Sequence, residues 1–233
     1  MKNVLDERPT TELHGGTAYA RDFVLQADCD RRDLLDIGCG FGWFELSAAE
    51  RGARSIVGIE PEEAALATAR RHVERPEVSF RVASAAELPF PDESFDTVVM
   101  WEVLEHLPKG TEQRAFAEIA RVLRPGGAFC MSTPHGSLRA RATDPAWWLI
   151  GHRHYAPERL RALAATAGLT VEALESRGGG WQIVHINNLY VSKWLLRRPP
   201  LFGQAVERRL DREWRRPTGF AHVFMRCRKG RPQ

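Results

Sequence analysis

The sequence lacks several features that would place it in a specialised class. Its 233 residues include only four cysteines, none of them in a C-x-x-C pair, so neither a disulfide framework nor a cysteine zinc site is expected. No apolar run approaches the roughly 20 residues that a membrane-spanning helix needs. The stretch Met1–Glu12 is polar and has no apolar signal-peptide core, so we expect a cytoplasmic protein.

The overall composition is that of an ordinary globular domain, with 43% hydrophobic and 27% charged residues and a net charge of +3. That balance hides an asymmetry, because residues 197–231 contain 11 basic and 3 acidic side chains. A segment of this kind attracts phosphate groups or forms a solvated surface. Because the sequence contains no repeats or low-complexity tracts, we expect one domain over 1–233.

A glycine-rich turn near the start of the chain organises the rest. The apolar run 33–37 is followed by Gly38, Gly40 and Gly42 and then by a helix-compatible stretch, 45–51. Glycines let a ligand approach the main chain closely, and the N–H groups at a helix start face whatever binds there. The pattern predicts a strand, a turn and a helix that together bind a nucleotide-like ligand.

The glycine spacing distinguishes between cofactors. A dinucleotide fingerprint, G-x-G-x-x-G, needs its third glycine at position 43, where this chain has the bulky Trp43. The observed pattern is D-x-G-x-G-x-G, led by Asp36. A nicotinamide-dependent oxidoreductase is therefore disfavoured, but it stays an alternative.

Apolar segments and helical segments alternate along the chain. We expect strands over 33–37, 55–59, 78–82, 94–100, 128–132, 169–174 and 220–226, and helices that include 11–26, 62–74, 111–123 and 157–167. This alternation is typical of an α/β fold with a Rossmann-like, doubly wound, seven-stranded and mostly parallel sheet. Two stretches lie outside the pattern, 134–154 and 177–219, the second being a helical insert between the last two strands.

Further motifs follow the predicted strands in order. Glu60 ends the second strand, the E-x-x-E-H run Glu102–His106 follows the fourth, and residues 121–127 lead into the fifth. With the glycine motif, these residues resemble class I methyltransferases that use S-adenosylmethionine. The likeness covers about 33–133, and it is strongest to the small-molecule branch of quinone-biosynthesis and sugar-modifying enzymes.

The resemblance implies S-adenosylmethionine as the cofactor and a set of residues that bind it. A carboxylate at Glu60 can accept both ribose hydroxyls. Where the family usually has an aspartate for the adenine amino group, this chain has Ser84, whose hydroxyl accepts a hydrogen bond more weakly. The implied cofactor residues are Asp36, Gly38, Cys39, Gly40, Gly42, Glu60, Pro61, Ser84, Ala85 and Trp101.

The function implied is methyl transfer to a small-molecule or lipid-like acceptor, at oxygen or carbon. The chain has neither the D-P-P-Y or N-P-P-Y tetrad of many amino-methylating enzymes nor a Pro-Cys nucleophile. We therefore expect no nucleic-acid partner. A non-catalytic module that binds an adenosine ligand is the remaining alternative.

Histidines are the candidates for acid–base chemistry, because a hydroxyl acceptor benefits from a base with a pKa near neutrality. His106 follows the fourth strand and is the first candidate, and His154 is the second. His152 and His154 form an H-x-H pair, but no acidic partner is apparent beside them in the sequence. We therefore predict no metal site.

The two stretches outside the sheet hold five of the seven tryptophans. Phe202, Val206, Leu210 and Trp214 recur every four residues, with arginines around them, as in an amphipathic helix. Such a helix packs as a cap on the domain, forms a homodimer contact, or lies on an anionic membrane surface. We expect the stretches, including 147–150, to cover the acceptor site.

Overall fold

Strands and helices alternate through most of the chain, as the sequence predicts. The computed structural model describes residues 8–198, 201 and 203–231. The strands are β1 (Asp33–Ile37), β2 (Ser55–Glu60), β3 (Val78–Val82), β4 (Phe95–Trp101), β5 (Leu123–Pro134), β6 (Leu169–Arg177) and β7 (His222–Lys229). The helices are α1 (Gly15–Phe23), α2 (Trp43–Glu50), α3 (Glu63–His72), α4 (Glu112–Val122), α5 (Leu138–Thr143), α6 (Pro145–Ile150), α7 (Pro157–Thr166), α8 (Gly180–Tyr190) and α9 (Gly203–Trp214).

The strands form one seven-stranded sheet in the order β3-β2-β1-β4-β5-β7-β6. Strands β1 to β5 pair in parallel, whereas β7 runs antiparallel to both of its neighbours. The strand order reverses between β1 and β4, and ligands bind at the carboxyl ends of strands at such a point. The predicted mostly parallel, doubly wound fold is confirmed.

Burial on both faces explains why the central strands are so apolar. Val98, Val99 and Met100 of β4 are all fully buried between two layers of helices. Parallel strands covered on both sides read as continuous runs of such residues. On one face, α4 supplies Phe116 and Ile119, which have helical spacing and are also fully buried.

The predicted strand ends differ from the observed ones where long-range pairing extends them. Strand β5 was expected over 128–132, but it begins at Leu123, which pairs with Phe95 before a register shift. It continues to Pro134 because that residue pairs with His222 of β7. Contacts between distant segments, which no local pattern reports, set these ends.

The first helix, Gly15–Phe23, is shorter than the predicted range 11–26, mainly at its start. Gly15 has φ +54°, and a Cβ there would lie 2.5 Å from Leu210 Cδ2. Its neighbour Gly16 lies against Trp214 in the same way, at 3.1 Å from the ring. Helix α1 therefore begins where two glycines let α9 approach.

The apolar stripe of α9 is buried. Val206, Leu210 and Trp214 are 7%, 2% and 4% exposed, whereas Phe202 lies outside the described residues. The Trp214 ring contacts Phe224 of β7 at 5.7 Å between centroids, and its Nε1 donates to the Gln182 side chain at 2.9 Å. The stripe thus packs on the domain and is not available as a membrane-facing surface.

Helix α8 is joined to α9 by a carboxylate. Glu213 accepts hydrogen bonds from the backbone N–H groups of Gly179, Trp181 and Gln182 at 2.8–2.9 Å. These N–H groups would otherwise lack partners at the start of a helix. No helix in the described ranges has the length and apolar composition needed to cross a membrane.

Replacing Trp214 with Ala should destabilise the protein by about 3–5 kcal/mol, because a large buried ring leaves a cavity. Trp148 is the matched control, since it is 69% exposed on α6, and Trp148→Ala should stay within about 0.5 kcal/mol. Urea denaturation measures both changes. Equal effects of the two substitutions would contradict the packing of α9 on the sheet.

Candidate functional site

Two of the three glycines in the turn between β1 and α2, Gly38 and Gly42, have no room for a side chain. Gly38 has φ +79°, and a Cβ there would lie 2.3 Å from Val103 Cγ2. Gly42, with φ +90°, is the N-cap of α2, and a Cβ would lie 2.7 Å from Val73. The chain after β4 therefore contacts the glycine turn directly, which places the two loops in one site.

Glu60 lies where the sequence predicts, at the end of β2 and beside the turn. Its Oε1 accepts a hydrogen bond from the backbone N–H of Gly40 at 2.8 Å. The parallel pairing of β1 and β2, with Ile37 opposite Ile59, brings these residues together. The carboxylate is thus positioned at the glycine turn, as a ribose contact requires.

Two buried carboxyl groups lie behind the turn. Asp36 is 1% exposed in β1, and Glu45, in the first turn of α2, is 0% exposed. Burial and the nearby Glu60 raise the pKa of Asp36 to about 8. Burial and Asp36 also raise the pKa of Glu45 well above its usual range. Sequence analysis missed Glu45, although an acid in an otherwise apolar helix start is a readable signal.

The other predicted cofactor residues occupy the same edge of the sheet or its loops. Ser84 is exposed after β3, where its hydroxyl accepts from the backbone N–H of Ala86 at 3.3 Å, and Ala85 is buried. Cys39 is buried inside the glycine turn and Pro61 is exposed after β2. Trp101 ends β4, and its buried Nε1 has no hydrogen-bond partner within the described ranges. Their roles stay predictions.

His106 ends a short 3₁₀ turn, Leu104–His106, after β4. Its Nε2 lies 3.4 Å from His152 Nε2, and the two rings are 4.8 Å apart between centroids. Loss of solvent and the neighbouring His152 lower the pKa of His106 to about 4. At neutral pH His106 is therefore uncharged and a weak base, so the geometry gives less support to a role as proton acceptor.

The expectation that His152 and His154 lack an acidic partner is wrong. Asp144 Oδ2 lies 3.1 Å from His152 Nδ1 and 2.9 Å from His154 Nε2. Burial alone would raise the pKa of Asp144, but the two histidine hydrogen bonds hold it below its usual range. Helix α6 connects Asp144 to these histidines and brings them into contact.

His154 has no free ring nitrogen. In addition to the Asp144 contact, its Nδ1 lies 2.9 Å from the carbonyl oxygen of His135, and its side chain is 1% exposed. The Trp147 ring covers it edge to face at 5.4 Å between centroids. These contacts fit a structural role better than proton transfer, and the predicted catalytic role remains a prediction.

Three side chains near β4 can hold a divalent cation. Ligand atoms of Glu105, His106 and His152 all lie within 4.8 Å of one another. Glu105 is buried, and its Oε1 has no hydrogen-bond partner in the described part of the chain. Asp144 orients His152 from the other ring nitrogen, as carboxylates do behind metal-bound histidines. The predicted absence of a metal stays a prediction.

A glutamate–histidine pair that sequence analysis missed lies at the same edge of the sheet as the glycine turn. Glu102, which follows β4, has φ +52°, a left-handed conformation that is uncommon for a side chain of this size. Its carboxylate accepts from the Ser132 hydroxyl and from His222 Nδ1, the latter at 3.0 Å. The two residues are 120 positions apart and meet only because β7 pairs with β5.

The other nitrogen of this histidine is free. His222 Nε2 is buried without a hydrogen-bond partner among residues 8–198, 201 and 203–231. The ring lies 5.8 Å from Trp214 between centroids. Burial would lower the pKa of His222, but the Glu102 carboxylate outweighs it and raises the pKa. A histidine held this way has an oriented lone pair that can accept a proton.

Comparisons with known proteins bear on the family of this fold and on its cofactor. The model of a methyltransferase domain family matches residues 35–131. A probable S-adenosylmethionine-dependent methyltransferase of Mycobacterium tuberculosis is 42% identical over 151 residues, which cover 64% of this chain and 53% of that protein. The matched region is a class I methyltransferase domain. Its cofactor is S-adenosylmethionine, and the predicted family is confirmed.

Other relatives include ubiquinone biosynthesis O-methyltransferases. The one from Alkalilimnicola ehrlichii is 37% identical over 126 residues, 52% of this chain and 50% of that protein. A probable methyltransferase of Mycolicibacterium smegmatis is 39% identical over 145 residues, 62% of this chain and 54% of that protein. The chain thus spans about half the length of these curated relatives.

Solved methyltransferase structures share the fold. An S-adenosylmethionine-dependent methyltransferase from Mesorhizobium loti has a TM-score of 0.65 at 20% identity, covering 91% of this chain and 96% of that chain. Geranyl diphosphate C-methyltransferase from Streptomyces coelicolor, solved with S-adenosyl-L-homocysteine, has a TM-score of 0.67 at 15% identity, covering 91% and 78%. These likenesses support the class I architecture of the domain.

Replacing Glu60 with Ala should weaken binding of S-adenosylhomocysteine by about tenfold or more, because hydrogen bonds to a charged group contribute about 1.5–3 kcal/mol. Isothermal titration calorimetry measures the affinity. Glu62→Ala is the matched control, since this exposed carboxylate lies two residues further along. Unchanged affinity in folded Glu60→Ala protein would contradict the ribose contact.

Proposed function

We propose that the protein transfers the methyl group of S-adenosylmethionine to a small-molecule or lipid-like acceptor, at oxygen or carbon. The main support is that the glycine turn after β1 and the Glu102–His222 pair after β4 lie at one edge of the sheet. Val103, next to Glu102, packs against Gly38. A methyl donor bound in the turn would thus lie near a proton acceptor. The ubiquinone O-methyltransferase relatives support a small acceptor.

In this proposal His222 takes the proton of an acceptor hydroxyl at its free Nε2, and Glu102 stabilises the imidazolium that forms. The sulfonium methyl is already activated, so the protein's main tasks are to align it with the acceptor and to exclude water. General-base catalysis would add about 10²–10⁴ in rate. His106 and His154 remain predicted contributors.

Two other functions are weaker candidates. A nicotinamide-dependent oxidoreductase would need a small residue where Trp43 begins α2. A non-catalytic adenosine-binding module needs no proton acceptor, so the Glu102–His222 pair would have no task. The glycine turn and Glu60 would serve such a module as well, so the Glu102–His222 pair is the feature that favours an enzyme.

The test is a screen for methyl transfer from S-adenosylmethionine labelled at the methyl group. The panel should contain polyprenylated phenols, free catechols, hydroxylated sugars and a lipid extract. Label on one acceptor class is the expected result. Binding of S-adenosylhomocysteine without transfer to any of them would favour the binding module.

With an acceptor in hand, His222→Asn should lower kcat by about 10² or more while cofactor affinity is kept. Because Glu102 raises the pKa of His222, and the base must be uncharged, activity should fall as the pH drops below that raised pKa. Glu102→Gln should move this acid limb to lower pH and reduce the rate. His72→Asn, on α3, is the control, and a wild-type profile in Glu102→Gln would contradict the assignment.

A peripheral membrane contact is also proposed, at a surface other than the buried α9 stripe. Leu195 is 77% exposed, and Val184, Val191 and Leu196 are each 43–46% exposed, on α8 and the π-helical segment Val191–Leu196. Arg197 and Arg198 follow and are exposed. Apolar side chains beside arginines suit an anionic lipid surface. A homodimer stays a prediction.

Leu195→Glu should reduce co-sedimentation with phosphatidylglycerol-containing vesicles, because it places a negative charge on the apolar surface. Leu25→Glu is the control. Leu25 is also exposed, at 42%, but it lies near α1, far from Leu195 in the sequence. Added salt should weaken binding of the wild-type protein. Wild-type protein that stays in the supernatant at low salt would exclude this membrane contact.

A further inference from the structure

Two carboxyl groups are buried side by side between the sheet and α2. Asp36 of β1 and Glu45 of α2 are 1% and 0% exposed. Gly58 of β2 lies opposite Asp36 in the sheet, and a Cβ there would lie 2.3 Å from Glu45 Oε1. The Glu45 carboxyl therefore occupies the space that a side chain at 58 would fill, which is a specific accommodation of this acid.

Three of the four oxygens of these carboxyl groups lack a hydrogen-bond partner in the described residues. Asp36 Oδ1 and both oxygens of Glu45 are buried without a partner in the described ranges. The two carboxyl groups are neighbours, however, because Asp36 pairs with Gly58 and the Glu45 carboxyl lies against Gly58. Two carboxylates cannot bond to each other unless one of them carries a proton. A proton on Glu45 supplies the missing donor.

The surroundings disfavour negative charge on this pair. Burial is the main influence on both groups, and the nearby groups that act on them, Glu60 among them, are acidic rather than basic. The adjacent Cys39 thiol is buried as well, and its pKa is raised. A buried carboxylate without a cationic partner is costly, so such a group stays protonated until a cation arrives.

The cofactor of the proposed function can supply a cation here. Its methionine end carries a carboxylate, which suits the N–H groups at the start of α2, and an α-ammonium group. Asp36 lies two residues before Gly38, where the glycine turn begins. The ammonium group is thus the part of the cofactor that can neutralise Asp36 when it ionises.

We propose that Asp36 releases its proton to solvent when the α-ammonium group of the cofactor binds, and that Glu45 is a positioning residue whose proton bonds to the Asp36 carboxylate. The proposal rests on the S-adenosylmethionine site of the proposed function and not on the acceptor. The only bond that breaks is the O–H bond of Asp36, and its proton goes to solvent. Cofactor binding is thereby linked to pH.

The primary test counts protons as S-adenosylhomocysteine binds. At about pH 6.5 the α-ammonium group, with an ordinary pKa of about 8, is charged. Calorimetry in two buffers of different ionisation enthalpy should show release approaching one proton per ligand bound. Linkage then requires the affinity to rise by up to about tenfold per pH unit below pH 8. Asp36→Asn should abolish the release and weaken binding.

Variants of Glu45 separate positioning from packing. Glu45→Gln keeps an N–H donor towards Asp36, so its affinity and proton release should match those of the wild type. Glu45→Leu removes the donor, which should weaken binding about tenfold at pH 6.5 and move the affinity profile to higher pH. Glu50→Gln, on the exposed face of the same helix, is the control and should change neither quantity.

Three results would overturn the inference. The first is no proton release by the wild-type protein, and the second is normal binding by Glu45→Leu. The third is a loss of affinity in Glu45→Leu that is equal at every pH and also occurs in Glu45→Gln. Thermal melting checks that each variant folds; if Glu45→Leu does not, the wild-type proton count and Asp36→Asn decide. Failure to bind S-adenosylhomocysteine at all would contradict the proposed function instead.

Discussion

The parallel pairing of β1 with β4 is the contact on which the site depends. It joins two strands that are separated in sequence by two crossover units, with Leu35 opposite Val98. Because both strands end at the same edge, the glycine turn and the segment that begins at Glu102 meet there. The tight contact of Gly38 with Val103 then fixes their separation. Without this pairing, the glycine turn and the Glu102–His222 pair would belong to different surfaces.

The sequence alone was sufficient to locate the strands of the sheet and part of the candidate site. Each strand is a short apolar run between turn signals, so all seven were located, and β1 and β3 had the predicted ends. Glu60 also lies where the motif spacing places it. The Glu102–His222 pair was not predicted, because it depends on antiparallel pairing between segments whose partners local patterns do not specify. The contact of Asp144 with two histidines was missed for a similar reason, since it depends on the path of α6.

Charge along the sequence was a poor guide to charge on the surface. The sequence predicts that the basic segment 197–231 attracts anionic partners or is solvated. Some of its arginines instead form ion pairs within the domain. Arg228 donates to Asp28 at 2.6 Å and to Glu172, and Arg226 also contacts Glu172. These pairs attach β7 to β6 and to the chain before β1. The arginines beside the exposed Leu195 are a smaller group than the sequence count indicates.

The contact between the tilted rings of His222 and Trp214 joins the helical insert to the sheet at the candidate site. The same tryptophan fills the space over Gly16 and hydrogen-bonds to Gln182. An insert attached in this way cannot be exchanged as an independent module. Grafting residues 177–219 from a relative would also replace the ring against which the histidine lies. Substitutions in this insert should therefore be tolerated best where they leave position 214 aromatic.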